Sequence, residues 1–303
     1  MQLSQGSAQT AEHRCGTVAI IGRPNVGKST LLNALIGERL SITSHHPQTT
    51  RHRILGVLSR PSVQMAFVDT PGYQTQHSGV MPRMMNRAVV QAVTGVDVVV
   101  LVIEALKFSD SDRRVLKLVP KELPIVLVVN KVDLVQDKPQ LLPFAQTVQA
   151  ERDFAAIVPV SAESGFQVET LVNAITPLLP QAPALYEQDT LTDRSERFIA
   201  AERVREKLFR LTGDEVPFAA TVEIETWEET LHGKRIAAAI LVTRDSHKKI
   251  VIGAKGARIK RIGQEARMDL ARFFGVPVHL ELWVKVRSGW ADSEASLRTL
   301  GHE

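Results

Sequence analysis

Residues 22–30, GRPNVGKST, stand between the apolar run TVAII (17–21) and the helix-like stretch LLNALIGERL. Gly22, Gly27, Lys28 and Ser29 fit G-x-x-x-x-G-K-[ST], a pattern that needs a strand before it and a helix after it, and both are predicted here. The glycines let backbone N–H groups wrap a phosphate at the positive end of the helix, with Gly22, Arg23, Pro24, Asn25, Val26, Gly27, Lys28, Ser29 and Thr30 as the nucleotide-binding lining. Lys28 would reach the β- and γ-phosphates, and the Ser29 hydroxyl would bind Mg²⁺. A chain that begins its fold in this way is committed to strand, phosphate loop and helix in that order.

The rest of the first half keeps that rhythm. VQMAFVD (63–69), VDVVVLVIE (96–104), PIVLVVN (124–130) and AAIVPVS (155–161) are β-branched runs separated by stretches long enough for helices. Several are apolar on both faces, as central parallel strands covered by helices must be. The fold class is therefore α/β: a P-loop NTPase with a doubly wound, mostly parallel sheet. Pro177, Pro180 and Pro183 then discourage both helix and ladder. The predicted organisation is a flexible N-terminus (1–14), a nucleotide-binding domain (15–178), a linker (179–192), a second, smaller α+β domain (193–290) and a C-terminal tail (291–303). The lone Cys15 excludes an intrachain disulfide and fits a reducing compartment. No apolar run is long enough to span a bilayer, the first fifteen residues lack the apolar core of a signal peptide, and a cytoplasmic protein is expected.

The base is selected about a hundred residues later by NKVD: Asn130, Lys131 and Asp133. A carboxylate accepts from both the ring N–H and the exocyclic amine of guanine, whereas adenine offers an acceptor at the matching ring nitrogen. Lys131 can lay its stem along the purine face, Asn130 can tie this loop to the phosphate loop, and Ser161 and Ala162 can offer a backbone N–H to the guanine oxygen. Asp69, Thr70, Pro71 and Gly72 (DTPG) close the second of the runs: Asp69 can bind Mg²⁺ through water and the Gly72 N–H can meet the γ-phosphate. Thr49 or Thr50 should complete the Mg²⁺ shell, and Thr50 is preferred, so Lys28, Thr50 and Gly72 are the catalytic candidates. Tyr73 stands where a Ras-type GTPase has a water-orienting Gln, and slow intrinsic hydrolysis is expected. Arg51 or Arg53 could supply a cation in cis; solvated charges or RNA contacts are the preferred reading of both.

The second domain reads helix, strand, strand, short helix, GAKG, longer helix, strand. Gly253, Ala254, Lys255 and Gly256 are a G-x-x-G loop that lets the backbone of a single strand approach, and this element order matches a type II KH module. With Arg258, Lys260 and Arg261 they are the RNA-binding candidates. From Lys248 to Arg287 ten Lys/Arg stand against three Asp/Glu, so this segment alone carries +7 where the whole chain carries +4. Trp227 and Trp283 could stack on bases, although strand aromatics are more often core.

Through GRPNVGKSTLLNAL, DTPG and NKVD the chain resembles the TrmE-Era-EngA group of GTPases, and SITSHHPQTTRHRILG resembles the Era family in particular. That resemblance, which covers nearly the whole chain, implies GTP and GDP as ligands with Mg²⁺ as cofactor. It implies binding near the 3′ end of small-subunit ribosomal RNA, a part in maturing the 30S subunit, and peripheral association with the cytoplasmic face of the inner membrane. A monomer is expected, and DNA is not an expected partner. The competing reading is a GTPase that regulates a protein partner or a membrane process, with the KH-shaped domain as a docking module.

Overall fold

Gly56 hides a strand. In the computed structural model, which describes residues 13–43, 49–74, 79–213, 216 and 219–290, the first sheet contains β1 (Arg14–Ile21), β2 (Ile54–Arg60), β3 (Val63–Asp69), β4 (Val98–Glu104), β5 (Ile125–Asn130) and β6 (Ala156–Pro159). The β-branched runs predict all of these but β2. Its sequence, ILGVLSR, is interrupted by a glycine, which no strand propensity favours. Packing explains that glycine: a Cβ at Gly56 would stand 2.9 Å from both Leu32 and Ile36 of the helix beneath it. The strand order is β2-β3-β1-β4-β5-β6. β2 runs antiparallel to β3 at the edge, and the remaining pairs are parallel.

Helices α1 (Lys28–Ile36), α2 (Val80–Ala92), α3 (Asp110–Leu116), α4 (Leu141–Gln149) and α5 (Val168–Ile175) cover the two faces. Neighbouring strand residues alternate between two cores: Ile20, Val100 and Val126 face Leu31, Leu32 and Leu171, whereas Ile21, Leu101 and Leu127 face Val89 and Val115. All of these are fully buried, each Leu or Ile contributing about 1.5–3 kcal/mol. Burial on both faces is what makes the central strands read as unbroken apolar runs.

The second unit follows the predicted order, with α6 (Glu196–Leu211), β7 (Ala220–Thr230), β8 (Gly233–Val242), α7 (Asp245–Ile252), α8 (Ala257–Phe274) and β9 (Val278–Val286). α6 starts at Glu196, because Ser195 takes the N-cap and accepts from the Phe198 N–H at 3.3 Å. β8 is central, antiparallel to β7 and parallel to β9. Ile262, Ala266 and Leu270 of α8 are fully buried, and Ile262 and Ala266 share one core with Val204, Ala238 and Ile240.

The segment between the two units is held down rather than loose. The Gln64 carboxamide accepts from the Leu185 and Tyr186 amides at 2.7 and 2.9 Å and donates to the Tyr186 carbonyl at 2.8 Å. The Val57 N–H donates to the Leu191 carbonyl at 2.9 Å, and the Thr192 hydroxyl to the Leu55 carbonyl at 2.6 Å. His13 and Arg14, expected in a flexible terminus, are instead fixed by this segment: the Ala182 N–H donates to the His13 carbonyl, and Arg14 donates to the Leu179 carbonyl. Residues 1–12 and the tail at 291–303 lie outside the described residues.

Candidate functional site

The loop from Gly22 to Gly27 leaves β1 and turns into α1 through left-handed backbone at Asn25 (φ 64°) and Gly27 (φ 98°). Two close approaches explain its glycines. A Cβ on Gly22 would stand 2.5 Å from the Val102 carbonyl, and one on Gly27 would collide with the Asn130 carboxamide. Pro24 closes the far side, where a Cβ on Gly72 would come 2.7 Å from its Cα. Lys28 is buried and donates to the Arg23 carbonyl at 3.0 Å, so the loop curls around its own ammonium. Burial lowers the pKa of Lys28 to about 8, against the pull of Asp69.

At the mouth of α1 four oxygen-bearing side chains meet. The Ser29 hydroxyl stands 2.7 Å from the Thr50 hydroxyl and donates to Asp69 Oδ2 at 2.7 Å, and Ser41 donates to the same oxygen at 3.0 Å. Burial raises the pKa of Asp69, opposed by Lys28 and these hydroxyls. Asp69 Oδ1 is buried without a hydrogen-bond partner among the described residues. Hard oxygen donors plus one unsatisfied carboxylate oxygen fit a small divalent cation such as Mg²⁺. Thr50 is the threonine that faces Ser29, whereas the Thr49 carbonyl accepts from Arg205 at 2.6 Å. Pro24, Asn25, Gly27, Lys28, Ser29, Thr30, Thr50 and Gly72 line one shared cavity. Thr70 lies outside it, buried, with its hydroxyl on the Ile20 carbonyl at 2.9 Å; Pro71 is buried beside it. Tyr73 is half-buried and packs against the core to which Val89 of α2 and Val115 of α3 belong.

At the base end, Asn130 does what its position predicts: its carboxamide donates to the Val26 carbonyl at 2.8 Å and accepts from the Ala162 N–H at 3.0 Å. Lys131 adopts left-handed backbone (φ 65°), which throws the following turn outward and leaves Asp133 exposed. The Ser161 and Ala162 amides are both engaged inside the protein, on the Phe166 carbonyl and on Asn130, rather than aimed at a ligand.

In the second unit, α7 ends on Gly253 (φ 71°), and Lys255 (φ 50°) and Gly256 (φ 77°) carry the chain into α8. Arg258 serves structure: it donates to the Ile250 carbonyl, and a Cβ on Gly253 would stand 2.7 Å from its Cβ. Arg261 is paired with Glu265 at 2.8 Å on the outer surface. Lys260 opens into a cleft between α8 and β9 lined also by Ile259, Gly263, Gln264, Arg267, Leu280 and Leu282. Sequence reasoning reached Lys260 but missed the rest of this cleft, although Lys260, Gln264 and Arg267 recur at helical spacing. Trp227 stacks edge-on to Phe274 and Trp283 sits half-buried, as strand aromatics do.

Comparison with known proteins joins the two sites. Residues 17–131 match a family model described as a 50S ribosome-binding GTPase, and 215–291 match one described as a KH domain. The chain is 55% identical to GTPase Era of Bordetella pertussis over 292 residues, covering 96% of this chain and 99% of that protein. The chain belongs to the Era family of GTPases. GTPase Era of Neisseria meningitidis serogroup B is 49% identical over 298 residues, 98% of this chain and 97% of the relative. Among solved structures, Aquifex aeolicus Era bound to GDP and aluminium fluoride superposes with a TM-score of 0.92 at 36% identity, over 95% of this chain and 99% of that one. An Era complex with MgGDPNP and nucleotides 1506–1542 of 16S ribosomal RNA gives 0.91 at 37% identity, over 96% and 99%.

In this Era-family chain the residue that follows Thr50 reaches the second unit. Arg51, expected in solvent, is buried: it donates to the Ala220 carbonyl at 2.9 Å and lies 5.7 and 5.9 Å from the Phe209 and Trp290 ring centres. The helix α6 supplies the lining, because Arg205 forks onto Glu202 at 2.7 and 2.6 Å beneath the Thr49 carbonyl. Burial, then the Arg205 cation, lowers the pKa of Arg51 to about 9, so it stays charged at neutral pH. Trp290 in turn packs on Met81, Met84 and Met85 of α2.

Proposed function

We propose that this chain binds GTP with Mg²⁺, hydrolyses it to GDP and phosphate, and reports its nucleotide state to a KH domain that holds single-stranded RNA from the 3′ region of small-subunit rRNA, during assembly and maturation of the 30S subunit. One observation carries the reading: Thr50 touches Ser29 beside the phosphate loop, and the next residue, Arg51, is buried against the second unit. Lys28 and the loop amides would hold the phosphates, Asp133 would accept from guanine, and Gly72 would sense the γ-phosphate. Ser29 and Thr50 would hold Mg²⁺ directly and Asp69 through water; the ion would neutralise charge developing on the β- and γ-phosphates. Tyr73, the residue that follows DTPG, is half-buried against the core and carries no amide to orient the attacking water, which supports slow intrinsic turnover.

The KH loop would cradle RNA phosphates with Gly253, Ala254, Lys255 and Gly256, and the cleft beside Lys260 and Arg267 would take bases against Ile259 and Leu282. The RNA complex of an Era relative supports this choice over a protein-docking module. Peripheral attachment to the inner membrane belongs to the same reading and draws support from the basic surplus between Lys248 and Arg287 alone; co-sedimentation with anionic vesicles tests it. No described helix is long and apolar enough to cross a membrane.

The decisive experiment titrates a labelled oligonucleotide of the 16S 3′ end with GDP and with a non-hydrolysable GTP analogue. Tighter binding with the analogue is expected, and linkage then requires RNA to tighten analogue binding by the same factor. Equal affinities in both states would reduce the two units to tethered neighbours.

A further inference from the structure

Glu104 belongs to none of the nucleotide-binding motifs, yet it stands where two of them meet. It ends β4, directly opposite Asn130 on β5. Its Oε2 lies 3.3 Å from the Lys131 ammonium and 3.5 Å from the Arg23 guanidinium, while Oε1 accepts from Lys107 at 2.5 Å. The tight turn that brings Lys107 back is held by the Lys107 N–H on the Glu104 carbonyl at 3.0 Å, with Leu106 in left-handed backbone (φ 61°). Arg23 is fixed on its other side by Asp112, at 3.2 Å, and Asp112 is fully buried and bonded to Ser109 at the start of α3.

We propose that Glu104 is a positioning residue of the guanine site, holding the base-loop Lys131 and the phosphate-loop Arg23 on one carboxylate so that both ends of the nucleotide are gripped by a single rigid frame. The proposal deepens the nucleotide-site reading and rests on it. Lys131 needs a fixed ammonium if its stem is to lie over the purine rather than wander, because a lysine stem has four rotatable bonds and no planar group to direct it. Glu104 supplies that anchor from a strand end, the most rigid place available. It also offsets the mutual repulsion of Arg23, Lys107 and Lys131, three like charges gathered around it. Against the opposing effect of burial, Lys107 and Lys131 hold its own pKa below the ordinary glutamate value, so the anchor is charged throughout the neutral range.

Glu104→Gln keeps the shape and removes the charge, so it separates anchoring from packing. Release of a fluorescent GDP analogue should quicken about tenfold, with the melting temperature of the nucleotide-free protein unchanged. Lys131→Met should show a comparable loss, and adding Glu104→Gln to it should leave release close to the Lys131→Met rate, since the anchor would have nothing left to hold. Wild-type release in Glu104→Gln would overturn the proposal. So would losses that multiply in the double variant, which would place Glu104 in some other role. Failure of the wild-type protein to bind GDP would sink the nucleotide-site reading itself, a result separate from either.

Discussion

Replacing Arg51 with alanine should disconnect the two halves of the molecule without touching the nucleotide. Its guanidinium hydrogen bond to the Ala220 carbonyl is buried, and a bond from a charged donor contributes about 1.5–3 kcal/mol. The Phe209 and Trp290 rings at 5.7 and 5.9 Å add about 0.5–1 kcal/mol each. The sum, about 2.5–5 kcal/mol, bounds what this contact can transmit: a nucleotide-dependent difference in RNA affinity of no more than a few thousandfold passes through Arg51, at about 1.4 kcal/mol per factor of ten. The Ala220, Phe209 and Trp290 partners of Arg51 all lie beyond the nucleotide-binding unit, so GDP and GTP-analogue affinities should stay within about twofold of wild type. The assay titrates labelled 16S 3′-end RNA against both proteins, each loaded with GDP or with the analogue. The wild-type ratio of the two RNA affinities should collapse toward one in Arg51→Ala. A variant that keeps the full ratio would show that the signal travels by another route, such as Trp290 on α2.

Asp133→Asn should lose guanine preference and gain affinity for xanthine nucleotides, because the amide donates where xanthine presents an oxygen; GDP and XDP titrations check it, and unchanged guanine preference removes Asp133 from the base site. Aspartates at Ala254 and Lys255 together should abolish RNA binding by repelling phosphate while leaving GTP affinity intact; wild-type RNA affinity would take the loop out of the interface. Lys28, at about pKa 8 in the folded chain, has a lower affinity for protons than the same side chain unfolded. The unfolded state therefore binds more protons between about pH 8 and 10.5, and this group makes stability rise through that window. Nucleotide phosphates favour the charged ammonium, so GDP binding near pH 8.5 should take up protons at Lys28; calorimetry in two buffers of different ionisation enthalpy detects it, and zero uptake would remove Lys28 from the phosphates.

Much of the nucleotide end was legible because it is made of short contiguous motifs, each rigidly placed. The phosphate loop, DTPG and NKVD each sit at the end of an apolar strand, so pattern and position agree, and Ser29, Thr50 and Asp69 do converge within hydrogen-bonding distance. What stayed hidden depends on tertiary partners. Arg51 reads as a solvated charge until α6 supplies Phe209 and β7 supplies a carbonyl. Arg258 looks like a phosphate ligand until the end of α7 claims it. The Ser161 and Ala162 amides look available until Phe166 and Asn130 occupy them. β2 was missed for the same reason, since Gly56 answers to a helix packed beneath it and not to strand propensity.

The strip between the units, pinned along β2, has a consequence for how this protein can be cut. β2 is the outermost strand of its sheet, and the Val57 amide and Leu55 carbonyl on its free side are occupied by Leu191 and Thr192, while Tyr186 packs over the apolar face formed by Leu55, Val57, Ala66 and Val68. A fragment ending at Leu178 would keep every phosphate-loop residue and lose that cover, presenting a bare apolar edge, the kind of surface that recruits other strands. Such a fragment should self-associate, whereas one ending beyond Arg194 should remain dispersed, a difference that light scattering resolves. The stretch that looks dispensable between two folded units is the selvedge that keeps the first from fraying into its neighbours.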